Sequence, residues 1–342
     1  MPEDRKFRIL SIDGGGIRGI IPAKVLEELE VQIQKEKPGI KLYEYFDLIC
    51  GTSTGAILAI AIALGIPAKD IVKFYTQNAK VIFPKWYLKI LPRESRVLLA
   101  KTIYTNKELK SLLKEIFTAG NDGVTPLLND LKTKVCIPSF NGNLGEINVL
   151  KTKHHEDYIR DYKLPAHEVA LSSASAPVYF PPNSFSYDNE HGSGTNINMI
   201  DGGIFANNPA LIGIFEATDK LGYQFSEVKI LSLGTGKGKH IIKKSWLPKN
   251  FFYWFIPKPR LLEITLDSQS QITEQYILFL QRTINRNQKS FAYLRVQHDF
   301  GKDIIDLNVS KQHDLQRLES IGGELSKKHI KSIVEFLKKE EK

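Results

Sequence analysis

The chain has 342 residues, of which 42% are hydrophobic and 25% are charged. This composition is that of an ordinary globular protein and excludes a disordered chain. The formal net charge of +9 favours anionic partners, so nucleic acid, anionic lipid and acidic metabolites all stay open at this point. Only two cysteines are present, and they exclude a disulfide framework and a multi-cysteine metal site.

The sequence contains no segment typical of membrane insertion or export. Its first ten residues are charged and lead into a strand-like run, without the apolar core of a signal peptide. We therefore expect a cytoplasmic protein. The longest uncharged apolar stretch, residues 56–66, is far shorter than the roughly 20 residues that cross a bilayer, and it predicts a buried helix.

Strand-like and helix-like segments alternate from the start of the chain. Residues 7–12 predict a strand, and the apolar residues of 17–33 recur at helical spacing. Residues 45–50 predict a second strand, again followed by a glycine-containing turn and a helix. Further strands are predicted at residues 134–138, 147–150, 197–200 and 228–233.

This alternation predicts an α/β fold, with a layered, mostly parallel sheet and helices on both faces. We find no convincing linker and expect a single domain over residues 1–342. Its core would occupy about 7–236. The C-terminal region, about 237–342, is predicted to be helical and to end in a polar amphipathic helix.

Residues 51–55, GTSTG, match the G-x-S-x-G pattern of a nucleophile elbow. Glycines flank Ser53 because a sharp turn from strand to helix leaves no room for side chains on either side. The pattern alone also fits an ordinary turn. The apolar strand before it and the apolar helix after it favour a nucleophile at a helix N-terminus, where backbone N–H groups stabilise negative charge.

Residues 13–19, DGGGIRG, form a second glycine-rich turn between a strand and a helix. Its successive N–H groups could bind an oxyanion or a phosphate. Gly14, Gly16 and Gly19 also satisfy the dinucleotide-binding pattern G-x-G-x-x-G. In that unit the second strand ends on an acidic residue, whereas here it ends at Cys50 and continues into the serine motif, which favours a hydrolase.

Asp201 opens a third motif, Asp-Gly-Gly, directly after the predicted strand 197–200. By itself this motif is a common turn. Its position favours a functional role, because α/β sheets collect functional groups at the carboxyl ends of their strands. An aspartate within hydrogen-bonding distance of a serine hydroxyl can act as its base, a contact that sequence alone does not establish.

The order DGGGIRG, GTSTG and DGG resembles that of the patatin-like phospholipases, over roughly residues 7–236. Carried over position by position, the resemblance implies a catalytic dyad of Ser53 and Asp201. It also implies an anion-binding loop, with oxyanion donors and a basic residue at Gly14, Gly15, Gly16 and Arg18. The stretches 172–182 (SSASAPVYFPP) and 206–210 (ANNPA) also resemble sequences of this family.

The resemblance implies a carboxylic ester hydrolase that cleaves fatty-acyl ester bonds of phospholipids or other glycerolipids without a cofactor or metal. Some bacterial members are activated by a nucleotide signal, so an activating ligand or protein stays open. A Ser-His-Asp esterase is a rival, although its elbow normally follows several strands and has no DGGGIRG loop upstream. A second alternative is a catalytically idle binding or storage protein, but the presence of both Ser53 and Asp201 disfavours it.

Residues 237–260 contain seven Lys or Arg and no Asp or Glu, interleaved with aromatic side chains. Such a segment suits the membrane interface, so we predict peripheral contact with an anionic membrane surface. The predicted contact residues are Lys243, Lys244, Trp246, Trp254 and Phe255. Residues 83–93 have the same character. Core packing of these aromatics is the alternative, and no nucleic-acid partner is predicted because no recognised binding motif is present.

Overall fold

The computed structural model describes residues 6–84, 102–189, 192–242, 253–254, 259–286 and 291–338. Its strands are β1 (Phe7–Ile12), β2 (Leu48–Gly51), β3 (Lys134–Asn141), β4 (Glu146–Lys151), β5 (Asn183–Asn189), β6 (Gly192–Asp201), β7 (Val228–Leu233) and β8 (Ala292–Val296). Its α-helices are α1 (Ile20–Glu36), α2 (Thr54–Ala63), α3 (Ala68–Ile82), α4 (Lys107–Ala119), α5 (Ala166–Ala174), α6 (Gly203–Ala206), α7 (Ala210–Phe215), α8 (Arg260–Asn285) and α9 (Gln312–Leu337).

These strands form one sheet in the order β5-β6-β3-β2-β1-β7-β8, with β4 paired to β3 outside that path. The central strands β3, β2, β1, β7 and β8 are parallel, and β4, β5 and β6 are antiparallel additions. The predicted layered and mostly parallel sheet is therefore confirmed. Strands β5 and β8 were not predicted, and β8 shows that the C-terminal region contributes to the sheet as well as to the helices.

Helices cover both faces of the sheet. Along β1, Leu10 and Ile12 belong to the larger apolar core, which includes residues of α1, α2, α3 and α5. Phe7 and Ile9 point the other way and pack with residues of α7 and α8. Alternate residues of a strand face opposite sides, so a strand buried on both faces is continuously apolar, as the sequence FRILSI nearly is.

The position of β6 brings Asp201 to the end of β2. Strand β4 occupies one edge of β3 from Cys136 to Asn141, so β2 and β6 must share the other edge. Since β2 is parallel and β6 antiparallel to β3, their carboxyl ends face each other. The register pairs Cys50 with Cys136 and Asp201 with Ser139, which leaves the turn at Ser53 next to Asp201.

The C-terminal helix α9 packs along α1. Gly322 allows this close approach, since a Cβ there would lie 2.6 Å from Cβ of Lys24 and 3.0 Å from the carbonyl oxygen of Ile21. Among the helices described, none combines the length and the apolar character needed to span a bilayer.

Candidate active site

Ser53 occupies a strained turn between β2 and α2. Its backbone has φ 55° and ψ −120°, a conformation that L-residues rarely adopt, and its side chain is nearly buried. The flanking glycines are sterically required. A Cβ on Gly51 would lie 2.1 Å from the carbonyl oxygen of Gly55, and one on Gly55 would lie 2.2 Å from that of Ile12. The sharp elbow predicted from the GTSTG motif is present.

Ser173, in the last turn of α5, holds this elbow in place. The backbone N–H of Ser53 donates a hydrogen bond to Oγ of Ser173 at 3.0 Å. The hydroxyl of Ser173 in turn donates to the carbonyl oxygen of Pro138 on β3 at 2.6 Å. A fully buried hydroxyl therefore links the strained serine to the sheet. Sequence analysis singled out the stretch 172–182 but gave Ser173 no role.

Asp201 is buried at the end of β6, beside the side chain of Ser53. Its Oδ1 accepts the N–H of Gly203 at 2.7 Å, and its backbone N–H donates to the carbonyl oxygen of Ser175 at 3.0 Å. Burial raises the pKa of the carboxyl to about 6, against hydrogen bonds from Ser53 and Gly203 that lower it. The structure thus brings the two predicted dyad residues together.

The glycine loop lies against Ser53, but the backbone N–H groups of its three glycines differ in whether they already donate a hydrogen bond. The N–H of Gly14 already donates to the carbonyl oxygen of Asn207 at 3.0 Å and is not free to bind an oxyanion. Within the described part of the chain, the N–H groups of Gly15 and Gly16 donate no hydrogen bond, and both residues line the cavity of Ser53. Of the three predicted oxyanion donors, only the N–H groups of Gly15 and Gly16 are therefore available to bind an oxyanion.

Arg18 lies behind the loop and is not among the described residues that line the cavity. Its side chain is buried, with the guanidinium 5.9 Å from the ring centre of Phe300. Burial lowers the pKa of Arg18, against the carboxylates of Asp267 and Glu263, which raise it. Arg18 therefore lies outside the cavity, near the acidic side chains of α8.

The loop is anchored by residues far along the chain. Arg295, on β8, donates from Nη1 to Oδ1 of Asp13 at 2.7 Å and also pairs with Oδ2. Oγ of Thr235 donates to the carbonyl oxygen of Gly14 at 2.6 Å. The N–H of Ile17 donates to the carbonyl oxygen of Leu307 at 2.9 Å. No local motif marks these residues, and sequence analysis missed them.

A small, mainly apolar cavity opens onto Ser53 and Asp201. Its polar wall is formed by this pair, Asn207 and the glycine loop. The remaining walls are apolar or aromatic, formed by Phe83, Ala174, Ala176, Tyr179, Phe180, Leu266 and Leu307. Such a lining suits an acyl chain whose carbonyl lies at Ser53. No histidine is among the described residues lining it, which disfavours the Ser-His-Asp interpretation.

One cluster of metal-ligand side chains exists in the described residues, away from this cavity. Cys136, His154 and Glu216 place their ligand atoms within 4.8 Å of one another. The carboxylate of Glu216 is already paired with Lys151 at 2.6 Å and with Nε2 of His154 at 2.9 Å, and Tyr158 donates to it too. Burial raises the pKa of Glu216, but these hydrogen bonds outweigh it and lower the pKa to about 2. The carboxylate of Glu216 therefore belongs to a buried ion pair with Lys151.

The predicted membrane-contact residues fall mostly outside the described chain. Lys243, Lys244, Trp246 and Phe255 all lie there. Trp254 is described and half-buried, with its ring edge-on to Tyr253 at 5.2 Å. Of the second aromatic patch, Phe83 is buried in the cavity wall, and residues 85–93 lie outside the described chain.

The elbow serine, the buried aspartate and the glycine loop thus lie together at the carboxyl ends of β1, β2 and β6. A family model described as patatin-like phospholipase matches residues 10–214. The chain belongs to the patatin-like phospholipase family, as its motif order implied. This membership supports lipid acyl hydrolase activity.

Relatives match over nearly the whole chain. A cGAMP-activated phospholipase of Vibrio cholerae serotype O1 is 31% identical, with 97% of this chain and 95% of that protein covered. Patatin-like protein 1 of Arabidopsis thaliana is 30% identical, with 93% of this chain and 80% of that protein covered. Among solved structures, VipD from Legionella pneumophila aligns with 96% of this chain and 67% of that chain, at 15% identity and a TM-score of 0.43.

Proposed function

We propose that the protein is a serine lipid acyl hydrolase that cleaves fatty-acyl ester bonds of phospholipids or other glycerolipids. Ser53 is the nucleophile and Asp201 its base. The observation that carries the proposal is the position of the Ser53 hydroxyl beside a buried carboxylate, next to two amides that donate no hydrogen bond among the described residues. Family membership supports the same chemistry. The idle binding protein is not favoured, because both groups are present and paired.

The reaction follows from where charge develops. As Oγ of Ser53 attacks the ester carbonyl, its proton passes to the carboxylate of Asp201. The carbonyl oxygen becomes an oxyanion, which the N–H groups of Gly15 and Gly16 stabilise at the start of the helical turn. Collapse expels the lysolipid or alcohol, which takes the proton from Asp201. Water, deprotonated by Asp201, then attacks the acyl-enzyme; Oγ of Ser53 leaves with the proton from Asp201, and a fatty acid is released.

The raised pKa of Asp201 suits this role. A carboxylate with a pKa near 6 is ionised at neutral pH, yet it is a stronger base than an exposed aspartate. The apolar cavity beside it excludes water and accepts the acyl chain, which places the ester carbonyl between Ser53 and the glycine loop.

We also propose peripheral association with anionic membranes through the basic and aromatic segment 237–260. Lys243, Lys244, Trp246, Trp254 and Phe255 stay the predicted contacts. In addition, the relative named a cGAMP-activated phospholipase covers 97% of this chain. We therefore propose that a cyclic dinucleotide raises the hydrolase activity, which is tested by adding cGAMP to the purified protein and measuring fatty-acid release.

The function is tested by fatty-acid release from phospholipid vesicles. Ser53→Ala and Asp201→Asn should each abolish release, since the members of a dyad act as one unit. Ser175→Ala is a matched control, because its buried hydroxyl donates only to the carbonyl oxygen of Leu171 in its own helix. Wild-type release by the Ser53→Ala protein would remove Ser53 from the mechanism.

A further inference from the structure

Helix α8 has an unusual outer face. Ile272, Tyr276 and Phe279 follow one another at i, i+4 and i+7, and they are 45%, 55% and 61% exposed. Leu261 lies on the same face three turns earlier and is 45% exposed. The helical repeat places these side chains on one side of the helix, where Ile272, Tyr276 and Phe279 form a continuous stripe and Thr265 and Ser268 separate it from Leu261. A folded protein rarely leaves such a contiguous apolar stripe in water without a partner.

Charge on α8 is divided between its two sides. The three acidic residues of the helix, Glu263, Asp267 and Glu274, all lie on the side turned toward the protein and are half-buried or buried. From residue 268 to 286 the exposed positions carry no acidic side chain. Two exposed arginines, Arg282 and Arg286, end the stripe. From Ile272 to Arg286 the outer face therefore combines apolar and basic side chains with uncharged polar ones, and this combination complements an anionic surface with an apolar interior.

The inner face of the same helix belongs to the active site. Leu266 lines the cavity that holds Ser53, and Oγ of Ser270 contacts Oδ2 of Asp13 at 3.4 Å. Asn207 donates from Nδ2 to Oγ of Ser270 at 2.9 Å. The helix thus carries the outer stripe on one side and contacts the site of Ser53 on the other.

We propose that the outer face of α8, formed by Leu261, Ile272, Tyr276, Phe279, Arg282 and Arg286, docks the enzyme on an anionic phospholipid bilayer. This inference rests on the proposed lipid hydrolase function and assigns the surface that meets its substrate. The apolar side chains enter the boundary between headgroups and acyl chains, and the arginines contact the anionic headgroups. A docked α8 holds the catalytic cavity at the lipid surface.

The test is sedimentation binding to phosphatidylcholine vesicles with and without phosphatidylglycerol, using protein that also carries Ser53→Ala so that vesicles stay intact. Replacing Ile272, Tyr276 and Phe279 by Ser should weaken binding to anionic vesicles about tenfold or more, at both low and high salt. Replacing Arg282 and Arg286 by Gln should weaken it about fivefold per arginine at low salt and less at high salt.

Leu144→Ser with Ile147→Ser is the matched control, since both residues are highly exposed on the turn and strand of the β3–β4 hairpin. This control should bind vesicles like the parent. Thermal unfolding verifies that each variant stays folded. In an otherwise unaltered chain, all three variants should hydrolyse a short soluble ester at the parental rate, which separates docking from catalysis.

Parental vesicle binding by both α8 variants would overturn the proposal, as would a parent that binds neither vesicle type. The parent could instead be dimeric in solution, with α8 variants that are monomeric and bind vesicles normally. That result would assign the stripe to self-association and would also overturn the proposal. If the parent protein itself failed to hydrolyse the soluble ester, that result would instead count against the proposed function.

Discussion

The carboxylate of Asp13 and the guanidinium of Arg295 form a buried ion pair across 282 positions of sequence. Asp13 follows β1 and begins the glycine loop, while Arg295 lies on β8, outside the part of the chain that the family model matches. Burial raises the pKa of Asp13, and Arg295 opposes this shift. The last strand of the sheet therefore fixes the start of the glycine loop.

Arg295→Met should destabilise the protein by about 3–5 kcal/mol, because it leaves the Asp13 carboxylate buried without its counter-charge. It should also lower the kcat for ester hydrolysis, since the loop that follows Asp13 is no longer held. In Asp13→Leu with Arg295→Met, the loss of stability should be smaller than the sum of the two single losses. Chemical denaturation and steady-state kinetics measure both effects.

Glu216→Gln is the control for this variant, because it breaks the buried pair with Lys151 at a distance from the active site. It should reduce stability and leave the kcat unchanged. An Arg295→Met protein with parental stability and kcat would show that the ion pair does not support the loop.

Ser173→Ala should lower the kcat about tenfold or more with little change in KM, because the Ser53 backbone loses its hydrogen-bond acceptor while the cavity keeps its shape. Ser175→Ala removes an equally buried hydroxyl that bonds within its own helix. The two variants should have similar melting temperatures and different kcat values. Equal kcat values would limit Ser173 to a structural role.

Asp201→Asn should be inactive and yet more stable than the parent at pH 8. Burial raises the pKa of Asp201 from its ordinary value of 3.8 to about 6, so the folded state binds a proton more tightly than the unfolded state. Stability from this group is complete below about pH 4 and is lost as the pH rises through 6. At about 1.4 kcal/mol per pKa unit, removing the charge is worth up to roughly 3 kcal/mol at pH 8.

Urea unfolding of both proteins from pH 4 to pH 8 measures this difference. The stability gap should close toward pH 4, where the parent is also neutral at this position. A gap that is constant with pH would show that Asp201 does not carry a raised pKa in the folded state.

Ester hydrolysis should continue in EDTA, because Ser53, Asp201 and two backbone amides supply nucleophile, base and oxyanion donors. Activity before and after dialysis against chelator is the measurement. Loss of turnover that calcium restores would contradict the metal-free account.

Much of the fold and part of the site could be predicted from sequence, for physical reasons. Strands β1, β2 and β7 are buried on both faces, so their continuous apolar runs were visible. The elbow at Ser53 was predicted because its glycines are forced by local sterics. Strand β8 was missed, since its five residues carry no turn signal or alternation that separates them from the helices around them.

The contact between Asp201 and Ser53 depends on pairing that no local pattern encodes. We expected Asp201 at the carboxyl end of a strand, and it is there. The strand is antiparallel, however, and its end meets that of β2 only because both pair with the same edge of β3. The bond from Gly14 to the Asn207 carbonyl is likewise tertiary, and so the number of free amides could not be predicted.

The central claim is that an acyl-enzyme forms on Ser53, and active-site labelling tests it most directly. A fluorophosphonate that carries an alkyl chain should form one adduct per molecule, mapped by mass spectrometry to the peptide that contains Ser53. Labelling should be absent in Ser53→Ala and much slower in Asp201→Asn, and it should block fatty-acid release in proportion to the adduct formed. A fully labelled Ser53 with undiminished fatty-acid release, or an inhibitory adduct on another residue, would contradict the account.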